Sequence, residues 1–383
     1  MIAANGPRPS RGLTYDLTHD LAHELPNDVP DGPSRGIADA VPTTFRVPPA
    51  DDPVRWKTHR IGAQTHRVAQ PITFTPYAAA RPCSARCVFC SENLRPPARG
   101  RAAATLRPGP RYFEALDAAL AQLRGLPLSY SLSGLETTDD PDWCLRMLQT
   151  LDDAARTGVP VADRVLYSNG AGFAHPYGET LLRAFSDFGL SWPELSRHHP
   201  DAARNQAIMR FRPEEPVADN AVFETVARRL GRRFPLRMVC IVQRGGVEDP
   251  AGVDAYLRWA RSLGAECVIF REFSRLDEVD GGNATARRIA SARVTIDALL
   301  GACASSPLAE ALTPVERTEG YYFRNLRLRH RDGFDVVFEA SDYARMRARH
   351  ATGDLYKLVF HANGRLCGGW SPDRDVLWSF EDA

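Results

Sequence analysis

From residue 71 onward the chain alternates two hydrophobic patterns. Short runs rich in β-branched and aromatic residues, bounded by turn residues, predict strands at 71–79, 128–134, 164–170, 191–199, 236–243 and 266–273. Between them, apolar residues recur at helical spacing over 111–126, 141–158, 179–189, 201–209, 220–234 and 250–264. The segment 141–158 has Pro141 at its start and Gly158 at its end, as a helix does. Six strand–helix units in regular alternation predict an α/β protein with a parallel sheet, because parallel neighbours need a helical crossover between them. No internal repeat is visible beyond that alternation.

The flanks follow other rules. Residues 1–66 read as a flexible lead-in, and the stretch HELPNDVPDGPSRG lacks any apolar period. Order is expected from about Arg67. After the sixth strand, 284–304 reads as helix. Two alternating stretches follow, with hairpin turns at Asp332-Gly333 and Asn363-Gly364. The expected organisation is a flexible segment 1–66, a β/α core 67–275, and a C-terminal helix with β-hairpins over 276–383. Residues 305–383 are expected to form a small antiparallel extension that covers the mouth or an open side of the core.

Composition narrows the function. The chain has 383 residues, 44% hydrophobic and 25% charged, as a globular protein does. A net charge of +1 gives no global field for nucleic acid. No apolar run reaches membrane-spanning length. Met1 to Asp20 lacks an apolar signal core, so a cytoplasmic location is expected. Eight cysteines in a chain this long do not suggest a disulfide framework. The basic residues are almost all arginine, with lysine only at Lys57 and Lys357, which reads as GC-rich coding.

One stretch carries distinctive chemistry. After the first strand, RPCSARCVFCSE places Cys83, Cys87 and Cys90 in the pattern C-x-x-x-C-x-x-C. Soft thiolates at this spacing suit an iron–sulfur cluster or zinc. A tetrahedral zinc site needs a fourth ligand, and no further Cys or His follows within the loop. Three ligands on a cubane leave one iron free. This motif resembles that of the radical SAM superfamily. The resemblance implies a partial (β/α)6 TIM-like barrel with its active site at the strand C-termini, where the cysteine loop would lie. It also implies a [4Fe-4S] cluster held by Cys83, Cys87 and Cys90. The open iron would chelate S-adenosylmethionine, whose reductive cleavage yields a 5'-deoxyadenosyl radical. A flavodoxin- or ferredoxin-type reductant would supply the electron.

The same resemblance assigns cofactor-binding roles. Phe89 stands where the family has an aromatic residue against the adenine. Ser133-Gly134-Leu135-Glu136-Thr137-Thr138 resembles S-G-G-E-P-T, so Gly134 and Glu136 would receive the methionine ammonium. Leu135 and Thr137 depart from that pattern. Tyr167-Ser168-Asn169-Gly170 resembles T-N-G and marks Ser168 and Asn169. Ser196 and Arg210 would serve the ribose and carboxylate, since a guanidinium fork fits a carboxylate. Gln243, before Gly245-Gly246, would approach the nucleoside. The C-terminal FHANGRLCGGW resembles the hairpin that opens an auxiliary-cluster extension, with only Cys367 present. A single cluster is therefore expected, and Cys367 is a candidate hydrogen donor to a substrate radical. Trp370 or its neighbours are expected to face substrate. The expected substrate is a small molecule of specialised metabolism. Two other readings stand: a maturase of a peptide precursor, and a non-catalytic iron–sulfur or zinc protein.

Overall fold

The computed structural model describes residues 41–94, 107–276 and 282–382. The predicted flexible segment 1–66 lies outside the described residues as far as residue 40. Its remainder corrects the expectation. Strands β1 (Thr43–Phe45) and β2 (Trp56–Ile61) are formed, and β3 (Gln64–Tyr77) begins before Arg67. β2 and β3 make an antiparallel hairpin from Trp56↔Ala69 to Ile61↔Gln64, turning at Gly62 with φ +60°. Half of β2 is exposed, so it lacks the apolar run that signals a buried strand.

The six predicted strands are present. They are β3, β4 (Leu128–Leu132), β5 (Val161–Ser168), β6 (Trp192–Ser196), β7 (Arg237–Ile241) and β8 (Cys267–Arg271), and they pair in parallel in chain order. Helices carry the chain back between them: α1 (Tyr112–Ala121), α2 (Pro141–Arg156), α3 (Ala171–Ala174), α4 (Gly178–Asp187), α5 (Ala202–Met209), α6 (Asn220–Gly231) and α7 (Pro250–Ser262). Four of these start on an aspartate. Asp140, Asp201, Asp219 and Asp249 each accept a hydrogen bond from a backbone N–H of the first turn, the role an N-cap residue fills. The result is a mixed α/β fold with a large, mostly parallel sheet.

The helix predicted over 284–304 is two helices, α8 (Ala284–Ala292) and α9 (Ile296–Ala304). Two groups explain the break. Thr295 caps α9 by accepting from Ala298 N. The buried Glu272 accepts from Ile296 N at 2.9 Å and also binds the Arg293 guanidinium. The apolar spacing runs through both helices and hides the cap.

The tail also differs in kind from a small covering extension. Strands β9 (Leu312–Glu319), β10 (Phe323–His330) and β11 (Asp335–Ser341) form an antiparallel meander, and β11 joins β8 in parallel. After α10 (Tyr343–His350), β12 (Leu355–His361) crosses to the opposite edge and joins β3 in parallel. It then continues antiparallel through β13 (Arg365–Cys367) to β14 (Val376–Ser379). Both hairpin turns are where the sequence put them, with Gly333 at φ +85° and Gly364 at φ +79°. The tail therefore widens the parallel sheet at both edges. Those two flanks also touch each other. Tyr321, at the start of the β10 flank, stacks on Tyr356 of β12 with centroids 5.3 Å apart, and Trp56 meets Tyr356 edge-on at 5.9 Å. The sheet thus curls far enough for its two flanks to touch through aromatic side chains. Among the described residues no helix is long and apolar enough to cross a membrane.

Candidate active site

The curled sheet encloses one large open cavity of about 2080 Å³. Its lining comes from the parallel strands, their C-terminal loops and the tail. Cys83, Cys87 and Cys90 line it, as do Trp370 and Lys357. The sequence-predicted triplet and the C-terminal piece therefore share one space.

Backbone and side-chain bonds from three strand ends fix the cysteine loop. The loop runs along the segment that follows α5: Val88 N donates to Ile208 O at 3.0 Å, Arg86 N to Met209 O at 2.9 Å, and Arg212 N to Ser84 O at 3.1 Å. The Arg212 guanidinium donates to the carbonyls of Pro82 and Cys83, both at 2.6 Å. From the β4 end, Asp139 accepts from Ser84 N at 2.6 Å. From the β5 end, Asn169 Nδ2 donates to Ser84 Oγ at 2.9 Å and approaches Cys83 Sγ at 3.8 Å. Charge-assisted bonds such as those of Arg212 and Asp139 are about twice as strong as neutral ones.

The three thiols are half-buried. Burial pushes Cys87 up to about 12, and burial followed by the nearby Glu136 and Asp139 carboxylates raises Cys83. Binding a soft metal would have to release those protons. Among the described residues, no three His, Cys, Asp or Glu side chains converge as ligands of a single metal ion. A cluster does not require such convergence, because each thiolate binds its own iron. Three thiols on one short loop facing a cavity fit a cluster better than they fit a lone zinc ion, which needs four ligands at one point.

Around the loop, the predicted residues take distinct positions. Phe89 packs on His198 at 5.0 Å and Phe273 at 5.4 Å between ring centroids. His198 is buried and held neutral: burial, then Arg197 and Arg271, lowers it to about 3. Its Nδ1 accepts from Ile241 N at 3.1 Å. His199 instead accepts from Asp201 N and stays at the start of α5.

Glu136 is buried and ties two strand ends together. Oε1 accepts from Thr138 Oγ1 at 2.6 Å and Ser168 Oγ at 2.8 Å, and Oε2 from Asn169 N at 2.5 Å. Burial raises its pKa, and these bonds work in the opposite direction. Glu136 thus holds Ser168 and Asn169, and through Asn169 the cysteine loop. Gly134 lies beside it at φ +104°, where a Cβ would stand 2.6 Å from the Tyr77 ring. Gly134→Ala is expected to cost roughly 1–3 kcal/mol through backbone strain and this clash, read as a lower midpoint in thermal melting.

Ser196 and Arg210 both line the cavity. Arg210 is exposed, sits in left-handed backbone at φ +52° as the C-cap of α5, and its guanidinium bonds none of the described residues. Two expectations are corrected by placement. Gln243 is fully buried and is not among the cavity-lining residues; its Nε2 reaches only the carbonyl of Ile241, at 3.4 Å. Cys367 is also fully buried, in β13 between its partners Val359 and Val376, and does not line the cavity. Alternation along a short strand paired on both sides turned it inward, which its sequence position next to Gly368-Gly369 did not reveal.

The sixth strand end also lines the cavity, and the tail adds to its wall. Arg271 pairs with Glu339 across β8 and β11, and more loosely with the buried Glu194 at 3.5 Å. No local signal pointed to Glu339, which arrives from the tail. Lys357 was visible only as one of two lysines.

No family model matches the chain, and no curated protein matches it. Similarity was found to solved structures. Streptococcus suis SuiB bound to S-adenosylmethionine shares 11% identity, with a TM-score of 0.48 over 79% of this chain and 61% of that one. A structure of anSMEcpe with bound AdoMet shares 13% over 52% of this chain and 51% of that one, with a TM-score of 0.40. TsrM from Kitasatospora setae, a radical S-adenosylmethionine methyltransferase, shares 12% over 52% of this chain and 35% of that one, with a TM-score of 0.36. The chain spans about three fifths or less of the length of each.

Proposed function

We propose that this protein is a radical SAM enzyme acting on a small molecule. The observation that carries the reading is the placement of Cys83, Cys87 and Cys90. They lie on the loop after the first of six sequential parallel strands, at the mouth of a large cavity. Active sites of β/α barrels are built on the loops at that end. When bound at these cysteines, a [4Fe-4S] cluster would supply the electron that cleaves S-adenosylmethionine to a 5'-deoxyadenosyl radical able to abstract hydrogen from substrate. The protein's own part is positioning and exclusion of water. Asn169, Arg212 and Asp139 hold the loop. Phe89, Ser196 and Arg210 line the space beside it. The reductant would be a flavodoxin or ferredoxin, and the setting cytoplasmic.

Volume favours a second reading of the substrate. Small-molecule sites occupy about 300–1,000 Å³, and this open cavity is larger. The cluster and S-adenosylmethionine would take part of that room and a peptide segment would use the rest, so a maturase of a peptide precursor stands as the alternative. Competition assays with candidate small molecules and peptides distinguish the two.

Metal analysis tests the basic reading. Anaerobic reconstitution is expected to give about four irons and about four sulfides per chain, as one cubane requires. One zinc without sulfide would indicate the non-catalytic alternative. Arg210→Ala is expected to keep the iron and the fold, because Arg210 is exposed and unpaired among the described residues. It should weaken S-adenosylmethionine binding by about tenfold to a hundredfold, the equivalent of one lost charge-assisted bond. Isothermal titration gives the number, and unchanged affinity removes Arg210 from the site.

A further inference from the structure

A row of polar residues crosses the cavity floor. Lys357 pairs in register with Thr73, Thr73 with Ser129, and Ser129 with Asp163, and all four line the cavity. Lys357 stands four positions before His361, which pairs with Tyr77 at the strand end. At about 3.3 Å per residue, that places it roughly 13 Å below the strand ends.

The Lys357 amine is buried, with no counter-charge paired to it among the described residues. The residue is 6% exposed. Its Nζ reaches Thr75 Oγ1 at 3.4 Å and lies 4.1 Å above the centre of the Trp370 ring. It forms no ion pair with a carboxylate among the described residues. Asp163 is three strands away, roughly 14 Å by strand spacing, and already accepts from Ser129 Oγ. The same cavity presents Arg347, His350, Arg374 and Asp375. His350 Nε2 is buried with no hydrogen-bond partner among the described residues. Burial alone pulls Lys357 down to about 7, and burial with Lys357 also lowers His350, against Asp375.

The choice of residue points the same way. The chain has 48 Lys and Arg together, and only Lys57 and Lys357 are lysine. A guanidinium keeps its proton wherever it is placed, whereas an amine sheds it when buried. An arginine here would leave a permanent, uncompensated buried charge, which costs far more than a neutral amine. An acidic group entering the cavity would supply the missing partner.

We propose that Lys357, backed by Trp370 and with His350 on the same cavity, forms an anion-accepting subsite for an acidic group of the ligand, a carboxylate attached to an apolar body. This deepens the substrate-cavity reading and rests on it. Burial favours the neutral amine in the empty site, and an incoming carboxylate would favour the ammonium, with uptake of a proton. Apolar contact comes from Trp370 and Tyr77, whose rings meet at 5.2 Å.

Reductive methylation with ¹³C-formaldehyde and cyanoborohydride tests this in the full-length protein. With two lysines, the spectrum holds two lysine resonances besides the N-terminal amine, and Lys57→Arg, at an exposed position, assigns both by the loss of one. The Lys357 resonance is expected to titrate near neutrality while Lys57, which is exposed, titrates near the usual value of about 10.4. Saturating benzoate should raise the Lys357 midpoint by about one pH unit or more, a tenfold shift in proton affinity. Benzamide, the neutral isostere, should not. A Lys357 midpoint equal to that of Lys57, or equal responses to benzoate and benzamide, overturns the proposal. Neither readout uses a cluster or S-adenosylmethionine. Iron analysis of the same sample therefore separates failure of this subsite from failure of the reaction assigned above.

Discussion

Cys83→Ala, Cys87→Ala and Cys90→Ala are each expected to abolish the visible cluster absorbance of reconstituted protein and all cleavage of S-adenosylmethionine. Each thiolate would bind a separate iron, so none can stand in for another. The control is Cys144→Ala and Cys303→Ala. Both residues are buried in the apolar core and absent from the cavity lining. These two variants should lose stability, as core truncations do, yet keep iron. Loss of iron in the controls to the same extent as in the triplet would show that iron follows folding alone. Glu136→Ala is the informative intermediate. It leaves Ser168 and Asn169 without their acceptor, and each orphaned buried donor costs about 1–3 kcal/mol.

Truncation after Ala304 is expected to yield an insoluble or unfolded chain. The sequence suggested a small covering extension, but the tail supplies strands to both edges of the parallel sheet. Leu326, Phe338, Leu358 and Phe360 are buried in the same apolar core as the six-strand region. At about 1.5–3 kcal/mol for each buried side chain of this size, these four alone contribute about 6–12 kcal/mol. Net stability of a whole domain is about 5–15 kcal/mol. Soluble yield and circular dichroism melting provide the readout. A truncated chain that melts cooperatively near the wild-type midpoint would contradict this.

The six parallel strands were legible because each carries a short apolar, β-rich stretch and their neighbours follow in chain order. The two hairpin turns were legible for the same reason: their signals are local. What escaped was set by distant partners. Nothing within residues 335–361 says that β11 joins β8 while β12 crosses to β3. The strand β2 was missed because its exposed face carries no apolar pattern. The break between α8 and α9 depends on Glu272, about twenty residues earlier. In the site, cysteine spacing marked the loop, and Ser168, Asn169 and Glu136 were found near it. Their connections were not readable: Glu136 proves to be bonded inward to Ser168 and Asn169. Cys367 and Gln243 looked suitable by type and position, but their strands and turns bury them. Lys357 left one trace, its rarity, and composition offered a simpler explanation for that until its burial was seen.

Formation of 5'-deoxyadenosine measures the central claim most directly. Reconstituted protein, S-adenosylmethionine and dithionite are incubated without oxygen, and products are quantified by mass spectrometry. The account predicts 5'-deoxyadenosine and methionine in equal amounts from the wild type, and none from Cys87→Ala. Wild-type protein that holds about four irons per chain yet forms no 5'-deoxyadenosine would contradict it.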